Sequence, residues 1–171
     1  MPFSQTLLPE FDEEMRKTRK ILERVPNDKL DYKPHEKSMT LGRLSTHIAE
    51  LPTWAVTAID QDVLDMQPGY KPHIATSQAE VLEIFDKNTA TAREKIAGVT
   101  DETWNQIWTF KFQGKTMMEL PRAAVVRNVV MNHIIHHRGQ LSVYLRLNEV
   151  QVPGMYGPSA DEMGFFTARN A

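Results

Sequence analysis

The sequence predicts an all-α fold: a four-helix bundle with long connections and one short extended segment before the last long helix. Three observations carry that expectation. Apolar residues recur at alternating steps of three and four through four long segments. Clusters of proline, glycine and polar residues separate those segments. The 171 residues are 41% hydrophobic and 25% charged, which suits a chain that buries its own core. Residues 1–171 are therefore expected to form a single domain.

In the first segment Leu8, Phe11, Met15, Thr18, Leu22 and Val25 fall on one stripe, and "VPNDKLDYKPHEKS" ends it in a loop. Ser38 or Thr40 offers the N-cap of the second helix, expected from about Leu41 to about Asp62, with Leu41, Leu44, Ile48, Leu51, Ala55 and Ala58 inward. Pro52 lies inside it and cannot donate to the Ile48 carbonyl, so the turn after His47 should kink or loosen. Pro68, Gly69 and Pro72 mark a loop. "SQAE" (Ser77 to Glu80) has the form of a capping box and opens a third helix to about Ala97, with Val81, Ile84, Phe85, Asn88, Ala92 and Ile96 inward and Gly98 at its end. Trp108, Phe110 and Phe112 alternate with polar residues before a Gln-Gly turn, the mark of one short extended piece or a small hairpin. The fourth helix is expected from about Met118, with Pro121 in its first turn, to about Asn148. "VPGMYGPSADEMGFF" reads as an ordered loop holding one short helical turn.

The net charge of -2 gives no basic excess for a phosphate backbone, so nucleic acid is not an expected partner. No stretch approaches the roughly 20 apolar residues of a membrane span, and "MPFSQTLLPEFDEEMRK" lacks the pattern of a signal peptide. A cytoplasmic protein is expected. With no cysteine in the chain, thiolate ligands and cysteine nucleophiles are excluded, and any metal must be held by nitrogen or oxygen.

Three histidines stand close together in "NHIIHHRGQL" (Asn132 to Leu141). Residues four apart on a helix share a face with Cβ atoms about 6 Å apart, so His133 and His137 can converge on one ion while His136 points elsewhere. They share the stripe of Val126, Val130, Leu141 and Tyr144, which the bundle should bury. A core histidine is ordinarily satisfied by a carbonyl or a neighbouring side chain. His47, three residues from Leu44 and one from Ile48, faces the core from the second helix and can supply a third nitrogen; three nitrogens with a vacant position make a catalytic metal site. His35 and His73 lie in loops. No Glu-x-x-His occurs, as a ferritin-like di-iron bundle would need, and His133 is followed by Ile134 rather than the glutamate of H-E-x-x-H.

The stretches "LGRLSTHIAELPTW" (Leu41 to Trp54), "NHIIHHRGQLSVYLR" (Asn132 to Arg146) and "VPGMYGPSADE" (Val152 to Glu162) resemble the DinB/YfiT-like superfamily of small bacterial four-helix-bundle proteins, over almost the whole chain. That resemblance implies a metal held by one histidine of the second helix and an H-x-x-x-H pair of the last, here His47, His133 and His137. It also implies zinc or nickel as the usual ion and a homodimer. The family holds metal-dependent S-transferases of low-molecular-weight thiols, a thiol-dependent maleylpyruvate isomerase and many members with no assigned reaction. The expected activity is thus a metal-dependent enzyme whose open position activates a cosubstrate thiol or a water towards a small-molecule substrate, a transferase or a hydrolase. The competing expectation is a non-catalytic dimeric helical module. Glu50, one turn after His47, is the candidate base or ligand-orienting group. Gln140 and Tyr144 are candidates for holding the ligands, and Trp54 and Tyr156 for the pocket wall.

Overall fold

An amphipathic stripe begins the chain. Helix α1 (Phe3–Leu22) buries Leu7, Phe11, Met15, Thr18 and Leu22 at helical spacing, and with them packs along α4 (Gln78–Gly98) and α7 (His133–Leu147). These and the other elements below come from a computed structural model, which describes residues 1–163.

Thr40 caps α2 (Leu41–Glu50), its side chain accepting from the Arg43 amide at 3.1 Å. The helix stops there because Pro52 has no N–H; after a turn at Leu51 and Pro52 the chain resumes as α3 (Thr53–Asp60). A break exposes carbonyls, and side chains cover two of them. The Asn88 amide of α4 donates to the Ala49 carbonyl at 3.0 Å, and the Thr53 hydroxyl donates to the Glu50 carbonyl at 2.7 Å. Asn88 therefore has a polar reason to sit on the inward stripe of α4. Ser77 caps that helix as expected, accepting from the Glu80 amide at 3.2 Å.

The expectation of a wholly helical framework with one extended piece needs correction, because the structure contains a three-stranded sheet in the order β1-β2-β3. Strand β1 (Val63–Met66) pairs parallel to β2 (Ile107–Phe112), and β2 pairs antiparallel to β3 (Lys115–Pro121). Of the two alternatives for this stretch, a single extended piece or a small hairpin, the structure has the hairpin of β2 and β3, its turn made by Gln113 and Gly114 at φ 51° and 75°. Residues 63–66 were expected as loop, since four residues at a sheet edge carry almost no alternating pattern and their partner is distant in the chain. Met118, expected at the start of the last helix, lies in β3, and the helix begins after Pro121 as α6 (Arg122–Val125). Between α6 and α7 the backbone widens into a π-helical segment (Val126–Asn132) that delivers His133. The short helix α5 (Asp101–Asn105), capped by Thr100, places Trp104 in the core, where its indole N–H donates to Ser4 Oγ at 2.8 Å.

Two buried arginines tie the layers together. Arg122 donates to the Ile59 and Gln61 carbonyls at 3.0 and 2.7 Å, covering the end of α3. Arg138 meets Glu14 at 2.5 Å, with both side chains almost fully buried at 2% and 8% exposed. It also donates to the Glu14 carbonyl and to Thr18 Oγ1, each at 3.0 Å, and Tyr156 donates to Glu14 Oε2 at 2.7 Å. That contact fastens the C-terminal segment to the bundle, helped by Asp161 on Arg146 at 2.6 Å, while Glu162 accepts from the Gly154 amide at 3.0 Å within the segment. The described part of the segment, to Met163, is built of turns without a helix. Gly164, Phe165 and Phe166 of the expected loop lie outside the described residues. No helix among the described residues is long and apolar enough to cross a membrane.

Burial pushes the Glu14 carboxyl up, but the Tyr156 hydroxyl and the Arg138 guanidinium outweigh it and hold the group below its ordinary value of 4.5. A lowered carboxylate contributes stability above its unfolded value and loses it as pH falls through the folded one. Denaturant unfolding across pH should accordingly show wild-type stability falling below about pH 4.5, with a smaller fall in Glu14→Gln. Arg138→Met, which strands the carboxylate, should cost about 3–5 kcal/mol at pH 7. A neutral Arg138→Met change would contradict the role given to this pair.

Candidate metal centre

Arg43, His47 and Glu50 occupy positions i, i+4 and i+7 of α2 and so share one face. His133 and His137 make the same step on α7, which packs against α2. One ring nitrogen from each of His47, His133 and His137 lies within 4.8 Å of the other two. The His47 ring stands edge-on to both partners, at 5.2 Å from the His133 ring and 4.6 Å from the His137 ring.

Hydrogen bonds on the far side of two rings set their tautomers. His133 Nδ1 lies 3.3 Å from the Val129 carbonyl, which can only accept, and His137 Nδ1 donates to Gln140 Oε1 at 2.7 Å. Both rings therefore carry their proton on Nδ1 and present the Nε2 lone pair to the centre. Those two Nε2 atoms are 2.8 Å apart. Two lone pairs at that distance repel unless a cation lies between them. A proton is disfavoured there, because burial above all lowers the basicity of His133 and His137; the hydrogen bonds to Val129 and Gln140 offset it only in part. His47 is pushed down to about 4 by burial, then by the charges of His137, Arg43 and His133, so it is neutral and able to ligate at pH 7. Three neutral imidazoles, with no competing acid among them, are a donor set that would suit a divalent ion.

Beside His47 opens a cavity of about 510 Å³, of the size that holds small ligands. Its walls include Arg43, Glu50, Thr53, Trp54, Thr57 and Tyr70, with Leu64 and Met66 of β1. The strand missed by sequence reasoning thus forms part of the pocket wall. Trp54 lines the cavity, while Trp104 and Trp108 are core. Glu50 is on the wall and pairs with Arg43 at 3.0 Å. Gln140 stands behind His137 as described. Tyr144 does not reach the centre: its hydroxyl donates to the Met39 carbonyl at 3.1 Å and so anchors the loop leading into α2. Tyr156 is engaged by Glu14 and Arg138 and is absent from the cavity wall. His136 is exposed, and His35 and His73 lie in loops, His73 on Glu80 at 2.7 Å.

This arrangement of helices has counterparts. The DinB family profile matches residues 1–169. The chain belongs to the DinB family. An uncharacterized protein of Bacillus subtilis strain 168, YrdA, is 24% identical over 161 residues, covering 93% of this chain and 91% of that protein. Two crystal structures share the DinB fold. A DinB-like protein from Bacillus cereus ATCC 10987 has a TM-score of 0.69 at 22% identity, over 91% of this chain and 98% of that one. A second, YjoA of Bacillus subtilis, has a TM-score of 0.67 at 19% identity, over 90% and 98%. At such identities the likeness gives the fold of the family and leaves the chemistry to the site.

Sequence reasoning missed Arg43, because one basic residue on an amphipathic helix normally faces solvent. It also missed the π-helical segment, whose valine-rich residues carry no signal that separates it from an α-helix. Gln140→Leu, at an exposed position, removes the acceptor that orients His137 without disturbing the core. Competition against a chelator should show divalent-ion affinity falling about 10- to 100-fold in that variant. Unchanged affinity would mean that Gln140 does not hold the ring.

Proposed function

We propose that this DinB family chain is a metal-dependent enzyme acting on a small-molecule substrate, with a divalent cation, zinc or nickel, held by His47, His133 and His137. The observation that carries this reading is the pair of Nε2 lone pairs 2.8 Å apart beside a cavity of about 510 Å³. An ion bound there supplies acidification of a thiol or a water, so that a nucleophile is available at neutral pH. A low-molecular-weight thiol is the favoured cosubstrate, since the chain has no cysteine of its own to supply sulfur. In the transfer the thiol gives up its proton, its sulfur bonds to the electrophilic carbon, and the leaving group departs with the bonding pair.

The residues of the chain divide this work. The three imidazoles fix the site where the nucleophile sits, and Gln140 keeps His137 in the ligating tautomer. Glu50, one turn from His47 on the cavity wall, is placed to take the proton or to orient the incoming group. Trp54, Leu64 and Met66 exclude water from the reacting partners. A homodimer in the cytoplasm, with no nucleic-acid partner, completes the proposal.

Metal analysis of untagged protein tests it. One equivalent of zinc or nickel is expected, lost in His137→Ala. Bacterial thiols supplied with alkylating electrophiles should then turn over only in the metal-loaded protein. Turnover of esters or amides without thiol would make the chain a hydrolase acting through the same three histidines. Metal-free wild-type protein of full stability would leave a non-catalytic helical module.

A further inference from the structure

We propose that the cavity beside His47 takes a small carboxylate with an apolar body, and that Arg43 is the residue that reads its charge. This deepens the proposed function, resting on that reading only in taking the cavity as the substrate chamber. The cavity wall and the charge set into it are mismatched.

The wall is largely hydrocarbon and aromatic, with Trp54 and Tyr70 beside Leu64 and Met66 of β1 among its lining. Trp54 is held in place by Trp108 and Phe110, at 6.4 and 5.9 Å between ring centroids, so this surface is preformed. Into it projects one guanidinium, whose side chain is only 16% exposed. A half-buried arginine needs partners for a planar fork of five donors. Among the described residues its side chain bonds Glu50 through Nη1 at 3.0 Å and makes no other side-chain hydrogen bond, and it lines the cavity.

That geometry selects among anions. A monoanionic carboxylate matches the planar fork in bidentate fashion, whereas a dianionic phosphate would meet Glu50 with few other donors at hand. The apolar body then lies against Trp54, Leu64 and Met66. Arg43 stands one turn before His47 on the same face, so a ligand anchored there extends alongside His47, the one imidazole of the three on the cavity wall. Its charge is also felt at His47 and His137, where it disfavours further positive charge. Glu50 is the resting counter-ion, and a carboxylate must displace it or share Arg43 with it. Removing the Glu50 charge should therefore tighten carboxylate binding, an effect opposite to the loss that general damage produces.

Calorimetric titration with 3-phenylpropionate and its neutral amide, matched in shape, tests this in chelator-treated and zinc-loaded protein. Wild-type protein is expected to prefer the carboxylate by about tenfold or more. Arg43→Gln should bring the two dissociation constants together while leaving the amide's unchanged, Arg43→Lys should keep part of the preference, and Glu50→Gln should strengthen carboxylate binding several-fold. Preference that survives in metal-free protein and vanishes in Arg43→Gln supports the inference even where the metal reading fails. Preference that needs zinc and survives Arg43→Gln assigns the anion to the ion and overturns the inference, leaving the metal reading intact. No binding of either compound at millimolar concentration, equal binding of both by the wild type, or an unchanged dissociation constant for the carboxylate in Glu50→Gln also overturns it.

Discussion

Two imidazole lone pairs facing each other across 2.8 Å, on His133 and His137, are the constraint around which the rest of the structure is arranged. Each ring is turned that way by a hydrogen bond that its opposite nitrogen donates, His133 to the Val129 carbonyl and His137 to Gln140 Oε1. A protein gains nothing in stability from holding two acceptors together in a half-buried place. The arrangement is sensible when a cation completes it, and His47, brought from another helix, makes the third side.

Holding α2 against α7 is the mechanical task that follows. The break at Pro52 ends α2 one turn beyond His47, and α4 supplies the Asn88 amide that covers a carbonyl left by the break. Beyond the break the chain runs through α3 into β1, whose Leu64 and Met66 line the cavity. On the other side, Arg138 follows His137 immediately and is locked by Glu14, Thr18 and Tyr156. The same turn of α7 therefore carries a ligand on one face and its buried anchor on the other. Centre and cavity share a wall because both are built on one face of α2.

The helices and the histidine centre were legible in the amino-acid sequence for a local reason. Helical periodicity is written in neighbouring residues, so the stripe through His133, His137 and Leu141, and the placing of His47 beside Ile48, could be read directly. Pro52 announced its break in the same way. The sheet was not legible, because β1 is four residues long and acquires its meaning only from pairing with β2, which lies beyond the whole of α4. Met118 belonged to β3 for the same reason: its strand is defined by pairing with Phe110, while Pro121 fits a helix start wherever the strand ends. Tyr144 and Tyr156 shared helical or motif positions with the site, yet their hydroxyls are committed to Met39 and to Glu14, contacts that no spacing rule foretells. Arg43 and Arg138 carried no signal in the sequence, because burial of an arginine depends on what packs over it.

Anomalous X-ray diffraction at the zinc and nickel absorption edges, on crystals of untagged protein, tests the central claim most directly. The account predicts a single strong peak between α2 and α7, about 2.0–2.2 Å from one ring nitrogen each of His47, His133 and His137. A map with no peak there, the three rings turned apart or the space between them filled by side chains, would contradict it.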